Sequence, residues 1–109
     1  MSSLLTAFKS LDVRVGTVID AEFLKKAIKP SYKLKIDFGI LGVLKSSAQI
    51  TKLYDAEKLV GTQVIAVVNF PKKQVANVMS ECLVLGVVND DEIILLRPDF
   101  EVKNGLKIS

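Results

Sequence analysis

The chain contains no histidine, no tryptophan and only one cysteine among its 109 residues. Without histidine, no Ser-His or Cys-His nucleophile pair can form and no imidazole base is available. One cysteine cannot make an internal disulfide, and by itself it cannot assemble a zinc site of sulfur and nitrogen ligands. These absences favour binding over catalysis and make a reducing cytoplasm the expected compartment.

Long apolar runs are missing as well. The longest near-continuous apolar stretches, 64–68 and 83–88, are too short to span a bilayer. The N-terminus lacks a basic segment followed by a long apolar one, so we expect no secretion signal. Half of the residues are hydrophobic, which is enough for the core of one compact domain over residues 1–109.

Alternation of apolar and polar residues predicts a fold built from short strands. The predicted helices cover residues 2–10 and 51–60, and Gly16 indicates a bulge or bend in the first strand. The predicted strands are Val13–Leu24, 32–39, 43–50, 63–68, 81–88 and 92–97, the last two forming a hairpin. Loops are predicted at 25–31 and 69–80, with a C-terminal extension at 98–109. This order predicts an all-β fold, a five-stranded OB barrel over 11–97, with other small barrels as alternatives.

Basic charge is concentrated in the middle of the chain. Residues 25–73 contain ten lysines and three carboxylates, whereas both flanking segments are mildly acidic. On an OB template, ten polar positions fall on the face of the second and third strands or in the two adjoining loops. They are Lys25, Lys26, Lys29, Lys33, Lys35, Lys45, Ser47, Gln49, Lys72 and Lys73.

Such a set is suited to a phosphate backbone, because ammonium groups along a groove release the counterions condensed on a nucleic acid. The alternative is that these lysines keep an exposed surface soluble. Asp37 shares the face, and Phe70 is the one candidate for stacking on a base, although it could instead plug the barrel end. Tyr32 falls on the core side. We therefore expect recognition of RNA backbone and shape rather than of a long single strand.

Other reactive residues indicate structural roles. Asp90, Asp91 and Glu92 favour a turn over a metal site, and Cys82 in an apolar strand favours a buried thiol over a nucleophile. A carboxylate enzyme based on Asp37 has no support from spacing or pairing. We expect neither a metal nor a cofactor.

Four stretches resemble a known family: KPSYKLKIDFG at 29–39, KSSAQIT at 45–51, VIAVVNFPKK at 64–73 and SECLVLG at 80–86. From about Leu11 onward the chain is similar to the tRNA-binding domain family. That family includes the export-related CsaA chaperones and the C-terminal domain of many methionyl-tRNA synthetases. The resemblance implies an OB fold, a homodimer and tRNA binding, with chaperone binding of unfolded or pre-secretory polypeptides as the alternative.

The matching positions also imply site residues. They add Ser46, Asn69 and Ser80 to Lys33, Ser47, Gln49 and Phe70 in the candidate RNA-binding set. Asn77 stands where relatives usually have glycine, and asparagine tolerates the left-handed backbone that such a position requires.

A dimer has a physical motive too. Leu4, Leu5 and Phe8 recur at helical spacing on a helix too short to be stable alone, and a small barrel offers little surface to cover them. The resemblance implies that the N-terminal helix and the C-terminal segment, with Leu106 and Ile108, form part of the interface.

Overall fold

The computed structural model describes residues 2–25 and 28–109. Lys26 lies outside the described residues, so its role in RNA binding stays a prediction. The helices are α1 (Ser2–Ser10) and α2 (Ala56–Leu59), with a single 3₁₀ turn at Gly39–Leu41. The strands are β1 (Val13–Leu24), β2 (Ser31–Asp37), β3 (Val43–Ala48), β4 (Gln63–Val67), β5 (Lys73–Val75), β6 (Val78–Ser80), β7 (Leu83–Val84), β8 (Gly86–Asn89) and β9 (Glu92–Leu95).

Five strands form one antiparallel sheet in the order β3-β2-β1-β4-β7. The sheet curls until its outer strand, β3, meets the chain just after β6, where the amide of Glu81 donates to the carbonyl of Lys45 at 2.7 Å. Closure removes the open sheet edge that would otherwise expose unpaired backbone groups. The predicted five-stranded OB barrel is confirmed.

The barrel interior follows the alternation of β2. Tyr32, Leu34, Ile36 and Phe38 are all buried, as their spacing predicts. Gly16 allows this packing, because a Cβ there would lie 2.6 Å from Ile36 and 2.8 Å from the Phe38 ring. The register shift in β1 falls between Val18 and Asp20, so Gly16 makes room for the core two residues before the bulge.

The predicted helix at 51–60 is shortened to Ala56–Leu59. Tyr54 explains the difference, because both its backbone carbonyl and its side-chain hydroxyl are hydrogen-bonded to the barrel. Its carbonyl accepts a hydrogen bond from the Tyr32 hydroxyl at 2.8 Å, and its own hydroxyl accepts one from the Leu95 amide at 2.9 Å. These tertiary bonds keep residues 51–55 out of the helix.

The predicted loop at 69–80 contains a hairpin instead. β5 pairs with β6, and the two-residue turn between them places Ala76 at a φ of 52°. Asn77 does not have a positive φ, so the left-handed residue is its neighbour. The turn lacks the Asn-Gly or Asp-Gly pair that signals such hairpins in a sequence, which is why the pattern indicated only a loop.

The predicted strand at 81–88 is divided into β7 and β8. The amide of Leu85 donates to Ile65 of β4 at 2.9 Å, whereas its carbonyl accepts from Leu96, beyond β9, at 3.2 Å. At Leu85 the chain therefore passes from the main sheet to the β8–β9 hairpin. That hairpin and the turn at Asp90 and Asp91 are as predicted.

The C-terminal extension lies along β1. Val15 donates to the carbonyl of Leu106 at 3.0 Å, and Ile108 donates to the carbonyl of Val13 at 2.8 Å. The Gln63 side-chain amide bonds both the N–H and the carbonyl of Val102. Within the described ranges, no helix is long and apolar enough to cross a membrane.

Candidate nucleic-acid interface

The outward face of β2 and β3 presents the predicted lysines in two rows that run across the strands. Lys33 lies opposite Ser47, and Lys35 lies opposite Lys45. All four side chains are half-buried on the solvent side of the barrel. Antiparallel neighbours share a face of the sheet, so the structure places these positions side by side.

The same rows continue onto β1, which contributes carboxylates that the sequence analysis did not place. Glu22 lies opposite Lys33, with its Oε2 4.0 Å from Nζ of Lys33, and Asp20 lies opposite Lys35. Their signal in the sequence is the alternation of acidic residues at the end of the first strand, but only the register reveals their lysine partners. This part of the face is close to neutral.

Two other predicted cations line a cavity of about 560 Å³ between the first loop and the β5–β6 hairpin. Lys29 comes from the loop and Lys73 from β5, and Ser31, Gln49 and Gln74 complete the polar lining. No carboxylate occurs among the described residues that line it. We call this cavity the lysine cleft. Lys25 is exposed at the start of the same loop.

A neighbouring cavity of about 490 Å³ has a different character, and we call it the Phe70 pocket. Phe70 and Pro71 lie at its rim, and Ser47, Gln49 and Ser80 contribute polar groups. Much of the remaining lining is apolar: Ala48, Ile50, Val75, Cys82, Leu83, Val84, Val88, Ile93 and Leu95. It shares Gln49, Lys73 and Val75 with the lysine cleft.

Glu81 lines the Phe70 pocket and lies where β3 meets the chain after β6. Its Oε1 accepts the Lys45 amide hydrogen at 2.9 Å, and its Oε2 lies 3.6 Å from Nζ of Lys72. The carboxylate side chain is only 18% exposed, whereas Lys72 is 65% exposed. Lys72 is therefore partly neutralised by an internal partner.

Three residues implied by the resemblance have structural hydrogen bonds. Ser46 is buried inside the barrel, and its hydroxyl donates to the carbonyl of Cys82 at 3.0 Å. The Ser80 hydroxyl accepts the Ser47 amide hydrogen at 3.2 Å. The Asn69 side chain accepts from the Asp12 amide and donates to the Ser10 carbonyl. Ser46 thus lies inside the barrel rather than on the lysine face, and Asn69 fastens α1 to β4.

Two further observations concern single residues. Burial raises the pKa of the Cys82 thiol to about 12, with a smaller opposing effect of a hydrogen bond to Ser46; the thiol is buried, as predicted. Phe23 is an exposed aromatic that the sequence analysis did not single out. It is half-exposed, and its ring packs edge-on against Tyr32 with centroids 6.2 Å apart.

The predicted dimer residues are largely uncovered. Leu4, Leu5 and Phe8 of α1 are 70%, 54% and 49% exposed, and Leu106 is also exposed. Ile108 is half-buried against β1.

In the acidic turn, Asp90 has a φ of 55° and Asp91 forms an ion pair with Lys52 at 3.4 Å. No group of three metal-ligating side chains occurs in the part of the chain that the structure describes.

Comparison with solved structures shows two close likenesses. The chaperone CsaA from Bacillus anthracis str. Ames is 53% identical in sequence, its structure superposes with a TM-score of 0.93, and the match covers 96% of both chains. The CsaA chaperone protein from Picrophilus torridus is 49% identical, with a TM-score of 0.91, and the match covers 96% of this chain and 97% of that one.

Among curated proteins, the methionine–tRNA ligase of Methanothrix thermoacetophila is 39% identical over 101 residues, or 93% of this chain. The chain spans only 15% of the length of that ligase. The family model described as "Putative tRNA binding domain" matches residues 13–107. With nearly the whole barrel and its C-terminal extension inside that match, the chain belongs to the tRNA-binding domain family.

Proposed function

We propose that this protein is a non-catalytic tRNA-binding protein that holds the RNA backbone in the lysine cleft. The observation that carries the proposal is that Lys29, from the first loop, and Lys73, from β5, line one cavity that has no described carboxylate in its lining. Phosphates are attracted to such a site without competition from fixed negative charge. A cytoplasmic location, where tRNA is found, is part of this proposal.

The lysines of the β2–β3 face extend the proposed surface but contribute less to it. Lys33 and Lys35 have carboxylates opposite them on β1, and Lys72 has Glu81. A phosphate must therefore compete with these partners, and the gain in Coulomb energy is smaller. We rank Lys25, Lys29 and Lys73 above Lys33, Lys35 and Lys72 as backbone contacts.

A homodimer belongs to the same proposal. All side chains from Ser3 to Ser10 in α1 are exposed, although a helix of nine residues is marginal in water without packing. A second copy would cover Leu4, Leu5 and Phe8 and would place two lysine clefts on one particle. Two clefts could then engage one folded tRNA with increased avidity.

The test is a titration of tRNA binding against salt. The logarithm of affinity falls with the logarithm of salt concentration by about 0.7 to 0.9 for each phosphate neutralised. Lys29→Glu and Lys73→Glu are expected to weaken binding and to lower this slope. Lys58→Glu is the matched control, since Lys58 is exposed on α2 and lines neither cavity. A slope near zero for the unmodified protein, or equal effects of all three variants, would contradict the proposal.

Chaperone activity is a second candidate, favoured by the exposed apolar surface and by the two likenesses to proteins titled CsaA chaperones. Val88 of β8 is 73% exposed and Phe100 is 78% exposed, so extended polypeptides could pair with apolar side chains outside the lysine cleft. The test is suppression of aggregation of a denatured protein. The activity is expected to survive Lys72→Glu combined with Lys73→Glu; its loss would mean that it is electrostatic.

A further inference from the structure

We infer that the Phe70 pocket receives one unpaired nucleobase of the RNA whose backbone lies in the lysine cleft. This inference rests on the proposed function and adds a contact that backbone binding alone does not require. Its starting point is the shared wall of the two cavities, made by Gln49, Lys73 and Val75. A nucleotide with its phosphate beside Lys73 would have its base at the entrance of the Phe70 pocket.

The rim and floor of the pocket suit the face of a base. The Phe70 side chain is 42% exposed, and the one aromatic pair found among the described residues involves Phe23 and Tyr32 instead. An aromatic ring at the edge of a cationic groove is the arrangement on which bases stack. Ile50, Val84 and Leu95 provide an apolar floor against which a flat ring can be buried.

The polar groups of the pocket suit the edge of a base. Within residues 2–25 and 28–109, no hydrogen bond involves the Ser47 hydroxyl or the Gln49 side-chain amide. Both groups can donate and accept, as base edges require. Glu81 also lines the pocket, but its two oxygens face the Lys45 amide and the Lys72 ammonium, so its charge is compensated.

An apolar side chain of a polypeptide is the competing occupant. It would use the floor of the pocket but would leave the Ser47 and Gln49 groups without partners, at a cost in free energy. It would also gain no Coulomb energy from the ammonium groups of Lys73 in the shared wall and of Lys29 in the lysine cleft. Continuity with a carboxylate-free cationic cleft therefore favours the nucleobase.

The experiment compares two short single-stranded RNAs with the same number of phosphates, one of uridines and one with abasic riboses throughout. Binding of each is measured over a range of salt for the unmodified protein, Phe70→Ala and Ile40→Ala. Ile40 is the control because it is more exposed than Phe70 and lines neither cavity. We expect Phe70→Ala to weaken binding of the uridine RNA by about tenfold. Its salt slope and its binding of the abasic RNA should not change.

The outcomes separate this inference from the proposed function. If neither RNA binds with a salt-dependent affinity, the proposed function fails and the inference fails with it. If both RNAs bind but Phe70→Ala weakens both equally or neither, only the nucleobase pocket is rejected. If Phe70→Ala weakens binding of an uncharged apolar peptide while binding of both RNAs is unaffected, the pocket holds polypeptide and the inference is overturned.

Discussion

Cys82 is an ionisable residue that the barrel keeps in its neutral form. It lies where β3 meets the chain after β6, with its Sγ 3.8 Å from the Lys45 carbonyl. Burial is the main cause that raises its pKa from 9.0 to about 12, and the nearby Glu81 charge contributes in the same direction. The unfolded chain would ionise this thiol at a much lower pH than the folded protein does.

This difference predicts a loss of stability in alkaline solution. Between about pH 9 and pH 12 the unfolded state releases the Cys82 proton while the folded state retains it, so the free energy of unfolding falls by up to about 1.4 kcal/mol per pH unit. Urea denaturation of the protein and of Cys82→Ala at increasing pH measures the effect. The variant should show the smaller alkaline decrease, and equal decreases would contradict the assignment.

Ala76 is a residue whose backbone carries strain. Its φ of 52° in the β5–β6 turn costs a residue with a Cβ about 1–2 kcal/mol. Ala76→Gly is therefore expected to raise the free energy of unfolding by about 0.5–1 kcal/mol, after the greater freedom of glycine in the unfolded chain is subtracted. Asn77→Gly in the same turn is the control: φ there is not positive, and this change should destabilise. Similar effects of both changes would argue against the turn geometry.

At the scale of elements, the seam between β3 and residues 80–82 decides whether the sheet closes. Backbone and side chain of Glu81 both contribute, since its amide donates to the Lys45 carbonyl and its carboxylate accepts the Lys45 amide hydrogen. The side chain thus supplies one of the hydrogen bonds that a further strand would have made. The same carboxylate pairs with Lys72, which couples barrel closure to the charge of the proposed RNA surface.

Two substitutions separate these roles. Glu81→Ala leaves the half-buried Lys45 amide unpaired and should cost about 1–3 kcal/mol of stability. Glu81→Gln keeps an acceptor oxygen, so it should cost less, and it frees Lys72 from its counter-charge. We expect Glu81→Gln to bind tRNA more tightly than the unmodified protein, with a steeper salt dependence. Unchanged binding of a folded Glu81→Gln protein would show that Lys72 is not near phosphate.

Elements also show where prediction from the sequence reached its limit. β1 has the predicted bounds, and β2 has the predicted buried face, because a period of two decides which side chains are buried. The lysine rows were predicted for the same reason. Asp20 and Glu22 were not recognised as their partners, since cross-strand neighbours depend on the register across the bulge between Val18 and Asp20.

At the scale of the whole molecule, α1 protrudes from the barrel with its apolar side chains exposed. If a second copy covers them, Leu4→Glu combined with Phe8→Glu should convert a dimer into a monomer and reduce the helix content. Sedimentation equilibrium and circular dichroism measure the two effects, with Lys9→Ala as the control on the same helix. A monomer before substitution would reject the dimer, and a dimer of unchanged mass after it would reject α1 as its interface.

The sequence by itself determined the alternating strands, the buried face of β2, the basic middle of the chain and the resemblance to the tRNA-binding domain family. These properties depend on residue type and local period, which are readable along a single chain. Only the tertiary structure decided that Lys29 and Lys73 share a cleft, that Glu22 faces Lys33 and that Glu81 partly neutralises Lys72. Each of these contacts depends on strand register and on closure of the barrel. Both bring together residues that are far apart in the sequence, and both are set only when the whole barrel folds.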